Sequence, residues 1–215
     1  MDKPRKFYEG EYYHIFNRSI AKFGIFKDPS NCQRFIETLD YYNNLSITER
    51  FSYVLRKNKY IYNNLLLPKV EPIVKYLTYK IMPNHYHLLV KILKDHKFSK
   101  YVNDFENSFS RYFNIKFDRK GPLWESSFKA VKINTDEQLL HVSRYFHLNA
   151  VTAGLVKKPE DWKFSSYKDL ITNKKFLKEI ITDFSISDNI QYKKFVENNI
   201  DYQKRLHLIK KLLLE

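Results

Sequence analysis

Apolar residues recur along this chain at two spacings, every second position and every third or fourth, and the change of spacing divides it into strands and helices. Residues 11–19 (EYYHIFNRS) have the β-branched and aromatic character of a first strand and end on the polar Asn17-Arg18-Ser19. Asp28-Pro29-Ser30 is helix-start chemistry, and Phe35, Ile36 and Leu39 follow at helical spacing, predicting a helix within 28–45. Residues 72–82 (PIVKYLTYKIM) and 85–93 (HYHLLVKIL) read as two strands turned by Pro83-Asn84. From 98 to 117, Tyr101, Val102, Phe105, Phe109, Tyr112 and Phe113 make an amphipathic helix. DRKGPLW is a turn, and 126–133 (SSFKAVKI) alternates as a further strand. The clearest helix is 134–155, opened by Asn134-Thr135-Asp136 and striped by Leu139, Val142, Phe146 and Ala150.

Two stretches have no clear period. Residues 46–70 are polar and rich in lysine and tyrosine, a loop excursion or small helical insert. KKPEDWKFSSYKDL reads as an irregular connector, and from about 174 the pattern becomes helical again, ending in the basic YQKRLHLIKKLLLE. Strands and helices in this mixed order predict an α+β fold, a mainly antiparallel sheet with helices packed on one face.

Composition narrows the function classes. The chain has 215 residues with only 4 Gly, and it contains neither a phosphate-binding glycine loop nor a dinucleotide fingerprint. Lys and Arg total 38 against 24 Asp and Glu, a formal charge of +14 that favours a polyanionic partner. The 17 Tyr and 17 Phe suit unstacked bases, though they serve equally well as core. Cys32 stands alone, so neither an internal disulfide nor a cysteine-based zinc site is available. Neither a signal-peptide pattern nor a membrane-length apolar run occurs, and a cytoplasmic protein without membrane contact is the expectation.

The candidate chemistry sits in KIMPNHYHLLVK, residues 80–91. Strand alternation puts His85 and His87 on one face and Tyr86, Leu88 and Val90 on the other. With helices covering the apolar face, both imidazoles emerge on the open one, about 6–7 Å apart, a spacing that lets them converge on one ion. The helix at 134–155 offers His141, Tyr145 and Asn149 at four-residue spacing along one side. Asn149 would supply an oxygen ligand, with Tyr145 one turn earlier beside the same ion. A tyrosine beside a cation suggests phosphoryl transfer, because the cation favours the phenolate. Two imidazoles, an amide oxygen and open positions suit Mg2+ or Mn2+. Each residue also has a plainer reading: a structural His pair, a packing tyrosine, an asparagine near a helix end.

Several blocks, in order, resemble the single-tyrosine HUH transposases, in the REP-associated tyrosine transposase branch. YYHIFNRS is similar to that family's opening strand, and YKIMPNHYHLLVK to its Met-Pro-Asn-His-hydrophobic-His-Leu-Leu signature. SFSRYFNIKFDRKGPLWESSFKAVKI resembles its next helix, turn and strand. DEQLLHVSRYFHLNAVTAGLV resembles its nucleophile helix, and WKFSSYKDL its closing motif. EIITDFSISDNIQYKKFVENNIDYQ is similar to the C-terminal extension of longer members. The resemblance implies a ferredoxin/RRM-like palm over residues 1–167, carrying 46–70 as an insert, and a helical extension over 168–215. It implies His85, His87 and Asn149 as ligands of a divalent ion and Tyr145 as nucleophile. The implied reaction is attack on a single-stranded DNA phosphate, leaving a 5′-phosphotyrosine and a free 3′-hydroxyl, at hairpin-bearing ends. Asn17, Arg18, Arg111, Lys129, Lys132 and Arg144 are the expected DNA contacts. The family departs from this chain at three places: it usually has Arg where Ser127 stands, Pro where Ala150 stands and Gly where Ser19 stands.

Two other functions fit the same residues. A non-catalytic, domesticated protein would bind hairpin or single-stranded nucleic acid without cleaving it. A metal-dependent nuclease would use water in place of Tyr145. A monomer and a homodimer are both compatible with the sequence.

Overall fold

The computed structural model describes residues 6–62, 64–172, 183, 186 and 188–203. Its strands are β1 (Tyr12–Arg18), β2 (Val74–Met82), β3 (His85–Ile92) and β4 (Lys129–Ile133). Its helices are α1 (Pro29–Tyr42), α2 (Phe51–Arg56), α3 (Asp95–Lys116), α4 (Asp136–Thr152), α5 (Tyr167–Thr172) and α6 (Asn189–Glu197). The strands form one antiparallel sheet in the order β2-β3-β1-β4, the expected α+β architecture.

Alternation sorts the side chains of this sheet. Ile15, Tyr86, Leu88 and Val90 are buried on the face that α1 and α3 cover. There Phe35 of α1 packs against Tyr86, Phe105 and Phe109 at ring-centroid distances of 5.0, 5.8 and 5.1 Å. His14, His85 and His87 take the opposite face. That face is not left bare, because α4 lies across it: Phe146 packs on His14 and His87 at 4.9 and 5.2 Å. Lys80 Nζ of β2, fully buried, donates to the Phe146 carbonyl at 2.8 Å and ties the helix to the sheet.

The stretch read as an irregular connector closes the β2 edge. Ile81 N–H donates to the Phe164 carbonyl, and Ser166 N–H to the Tyr79 carbonyl, at 2.9 and 3.1 Å. The Ser166 hydroxyl reaches Thr78 Oγ1 at 2.6 Å, while His147 of α4 lies within 2.8 Å of the Tyr192 hydroxyl of α6. The segment therefore carries α5 and joins α4, β2 and α6 through buried polar pairs. Among the described residues of 46–70 there is one short helix, α2, whose Phe51 stacks on Tyr41 of α1 at 4.7 Å. The basic C-terminal run 204–215 and most of 173–187 lie outside the described residues.

Candidate active site

The turn Pro83-Asn84 brings β2 back as β3, and the register places His85 opposite Arg18 and His87 opposite Phe16 on β1. His85 and His87 are therefore neighbours on the α4 face, their ring centroids 4.9 Å apart and nearly perpendicular. His85 Nδ1 lies 2.6 Å from Asn84 Oδ1. An amide oxygen only accepts, so Nδ1 carries the proton and Nε2 presents its lone pair. His87 Nδ1 lies 2.9 Å from His14 Nε2, and His87 Nε2 is buried without a hydrogen-bond partner.

Burial pushes the His85 imidazole down to about 4, with Arg18 and Lys80 adding to the effect. Burial also drives His87 well below its ordinary value and His14 down to about 4. All three rings are thus neutral at pH 7, the state in which imidazole nitrogen ligates a cation.

Tyr145 comes to the same place from α4. Thr135 caps that helix by accepting from Gln138 N–H, and the helix then carries Tyr145 over β3, 6.3 Å from the His87 ring, with 43% of its surface exposed. Burial raises its phenol above 10, while the charge of Arg18 pulls the other way. Between β1, β3, β4 and α4 lies a cavity of about 280 Å3 lined by Phe16, Asn17, Arg18, His85, His87, Glu125, Ser126, Lys129 and Tyr145. Arg18 and Lys129 make no side-chain hydrogen bond or ion pair among the described residues, so both cations are available to an anion entering the cavity.

Other expected site residues fall elsewhere. Asn149 is half-buried one turn beyond Tyr145 and does not line the cavity. Asn17 lines it but is only 3% exposed, and its amide is spent on structure. Its Nδ2 donates to Glu106 Oε1 and the Ser126 carbonyl at 2.8 and 2.9 Å, and its Oδ1 accepts from Arg18 N–H. Asn17 braces the cavity floor and is not disposed as a DNA contact. Lys132 pairs with Glu11 at 3.1 Å. Arg144 turns toward α6, its guanidinium 4.8 Å from the Phe195 ring and 2.7 Å from His141 Nδ1. Arg111 lies on α3, across the sheet.

Three residues that sequence reasoning passed over belong to the site. His14 alternates with Tyr12 and Phe16 in β1, but its partner His87 becomes visible only once β1 pairs with β3. Glu106 interrupts the apolar stripe of α3, a visible signal, and its Oε1 accepts from both Asn17 and Tyr86. No pattern marks Glu125, which the turn before β4 delivers to the cavity.

The residues present fit a divalent cation. The orphaned His87 Nε2 and the lone pair of His85 Nε2 are two neutral nitrogen donors next to an open cavity, and a buried ring nitrogen without a partner costs about 1–3 kcal/mol. Among the described residues no cluster of three or more His, Cys, Asp or Glu is arranged around one point. Oxygen ligands from Asn149 or from substrate would have to complete such a site.

Residues 69–149 match the family described as "Transposase IS200 like". The fold is similar to the solved structure of a REP-associated tyrosine transposase bound to a REP hairpin. The TM-score is 0.56 at 16% identity, over 80% of this chain and 87% of that one. A protein named as a transposase of Deinococcus radiodurans r1 is similar at TM-score 0.37 and 13% identity, over 67% of this chain and 95% of that one. No curated protein matches the sequence. The resemblance expected from the sequence is thus borne out as a match of residues 69–149 to the IS200-like transposase model and as a fold similar to that of a REP-associated tyrosine transposase. No helix among the described residues is long and apolar enough to cross a membrane.

Proposed function

We propose that the protein cuts and rejoins single-stranded DNA through Tyr145, at ends that carry a hairpin. The observation that carries this reading is the convergence of His85, His87 and Tyr145 on one cavity with the unpaired cations of Arg18 and Lys129. Arg18 and Lys129 hold the strand by its phosphates. The Tyr145 oxygen attacks phosphorus in line, the P–O3′ bond breaks, and the departing 3′-oxygen leaves as a hydroxyl once protonated. The phenol proton goes to solvent, to which the half-exposed Tyr145 is open. One phosphoester replaces another, so an incoming 3′-hydroxyl reverses the step without nucleotide hydrolysis. His85 and His87 would hold Mg2+ or Mn2+, which polarises a non-bridging phosphate oxygen. Arg18 assists from the protein's own side, favouring the phenolate against the cost of burial. We take residues 1–167 as the DNA-processing domain and 168–215 as a helical extension.

The test is a Tyr145→Phe variant given hairpin-bearing single-stranded DNA and Mn2+. The wild type should form a covalent adduct that survives denaturing electrophoresis. The variant should form none, while its DNA affinity stays within about twofold, because a single phenolic oxygen contributes little to phosphate-dominated binding. Cleavage without adduct in both proteins would point to water as nucleophile and sink the assignment. The position of Asn149 outside the cavity favours one second reading, a domesticated binder of hairpin or single-stranded nucleic acid. It predicts metal-independent binding and no cleavage by the wild type.

A further inference from the structure

The 46–70 insert builds a second feature, remote from Tyr145. α2 leans against α1 and, together with α3, walls an open groove of about 620 Å3 on the covered side of the sheet. Arg34, Arg50 and Arg111 line it, one from each of α1, the start of α2, and α3. The Arg34 guanidinium lies between two rings, 4.3 Å from Phe51 and 5.1 Å from Tyr112. Its Nε is buried without a hydrogen-bond partner. Among the described residues none of the three arginines has an ion-pair partner, whereas the neighbouring lysines do: Lys100 pairs with Asp104, and Lys116 with Asp28 at 2.8 Å. The fold thus pairs the groove's lysines locally and leaves its guanidinium groups without a carboxylate at ion-pair distance, although Glu49 also lines the groove and Glu37 acts on Arg34 through space.

We propose that this groove is a second nucleic-acid contact, which grips the phosphates of a strand lying outside the cleavage cavity. Guanidinium forks match phosphate oxygens, and three of them, from separate elements, line this one groove. The inference rests on the reading of DNA as substrate. It gives the insert a role in binding, since the insert supplies Arg50 and the Phe51 ring against which the Arg34 guanidinium lies.

The probes are a short and a long oligothymidylate, measured by fluorescence anisotropy across a salt series. Wild type should bind the long strand more tightly and with a steeper salt dependence than the short one. Arg34→Gln with Arg50→Gln should lower the slope on the long strand by roughly 0.7 for each arginine removed and weaken binding about tenfold. Because Arg34→Gln removes a packed side chain, Arg50→Gln alone is measured too. Its unfolding midpoint should be unchanged and its slope should fall by one step. An unchanged slope and an unchanged length dependence in both variants would overturn the groove. So would a loss confined to competition by polyglutamate, which would assign the groove to acidic peptides. Failure of the catalytic reading is separate: it is the absence of a wild-type adduct on hairpin DNA, whatever the arginine variants do.

Discussion

Glu106 sits in the apolar stripe of α3, 6% exposed, with Asn17 and Tyr86 both donating to one of its oxygens. Burial pushes its carboxyl from an ordinary 4.5 to about 7, against the pull of those two donors. Between these values the folded protein holds a proton that the unfolded chain has released. The stabilising contribution is therefore fully present below about 4.5 and is lost as pH rises through about 7. The difference is of order 3 kcal/mol for one group. The buried neutral His14, His85 and His87 act the other way, adding stability as pH rises toward 6.5, so denaturant unfolding at a series of pH values should read Glu106 in the difference between wild type and Glu106→Gln. Wild-type stability relative to the variant should fall by about 3 kcal/mol as pH rises from about 4.5 to 7, and a difference that stays constant would remove Glu106 as a source of pH dependence. The same residue bears on what a sequence can reveal. His85 and His87 are legible because alternation alone assigns them a face. Glu106 is legible only as an anomaly in a stripe, and His14 not at all, since its meaning depends on a strand about 70 residues away.

At the scale of elements, α4 is the part on which the chemistry hangs. The periodicity of Leu139, Phe146 and Ala150 announces the helix, and Thr135 marks its start. Its hidden half is polar: Ser143 and His147 are buried against Tyr192, Thr78 and Ser165, so the helix is enclosed on more than its apolar side. A hydrophobic stripe cannot report such contacts. Nor does any local period mark the segment 164–166, whose structure comes from pairing with a distant strand edge. Thr135→Ala removes the cap at the end where α4 leaves β4, and should cost about 1 kcal/mol in denaturant unfolding. Since Lys80 clamps the helix at Phe146, adduct formation by folded Thr135→Ala should stay near wild type. A large loss there would mean that the cap, more than the clamp, sets the position of Tyr145.

For the whole molecule, a cation held by His85 and His87 binds the folded chain and so adds to its stability. At a hundredfold excess over Kd the gain is about 2.7 kcal/mol. In a chain of this size that corresponds to roughly 5–10 °C in Tm. Mn2+ should raise the unfolding midpoint of wild type on this scale, and a chelator should reverse it. His85→Ala should show no shift, and an equal shift in the variant would place the ion elsewhere.

The two borders of the sheet are finished in different ways. Residues 164–166 pair with the second half of β2, where they occupy the Ile81 and Tyr79 N–H groups and the Tyr79 carbonyl. At the other border β4 has only five residues, two of them lysines, with Val131 half-exposed. A short, positively charged border is a poor template for another chain's strand. β1, β2 and β3 all carry aromatic residues that would otherwise favour such pairing. Partial closure on one side and charge on the other both work against edge-to-edge association of this sheet.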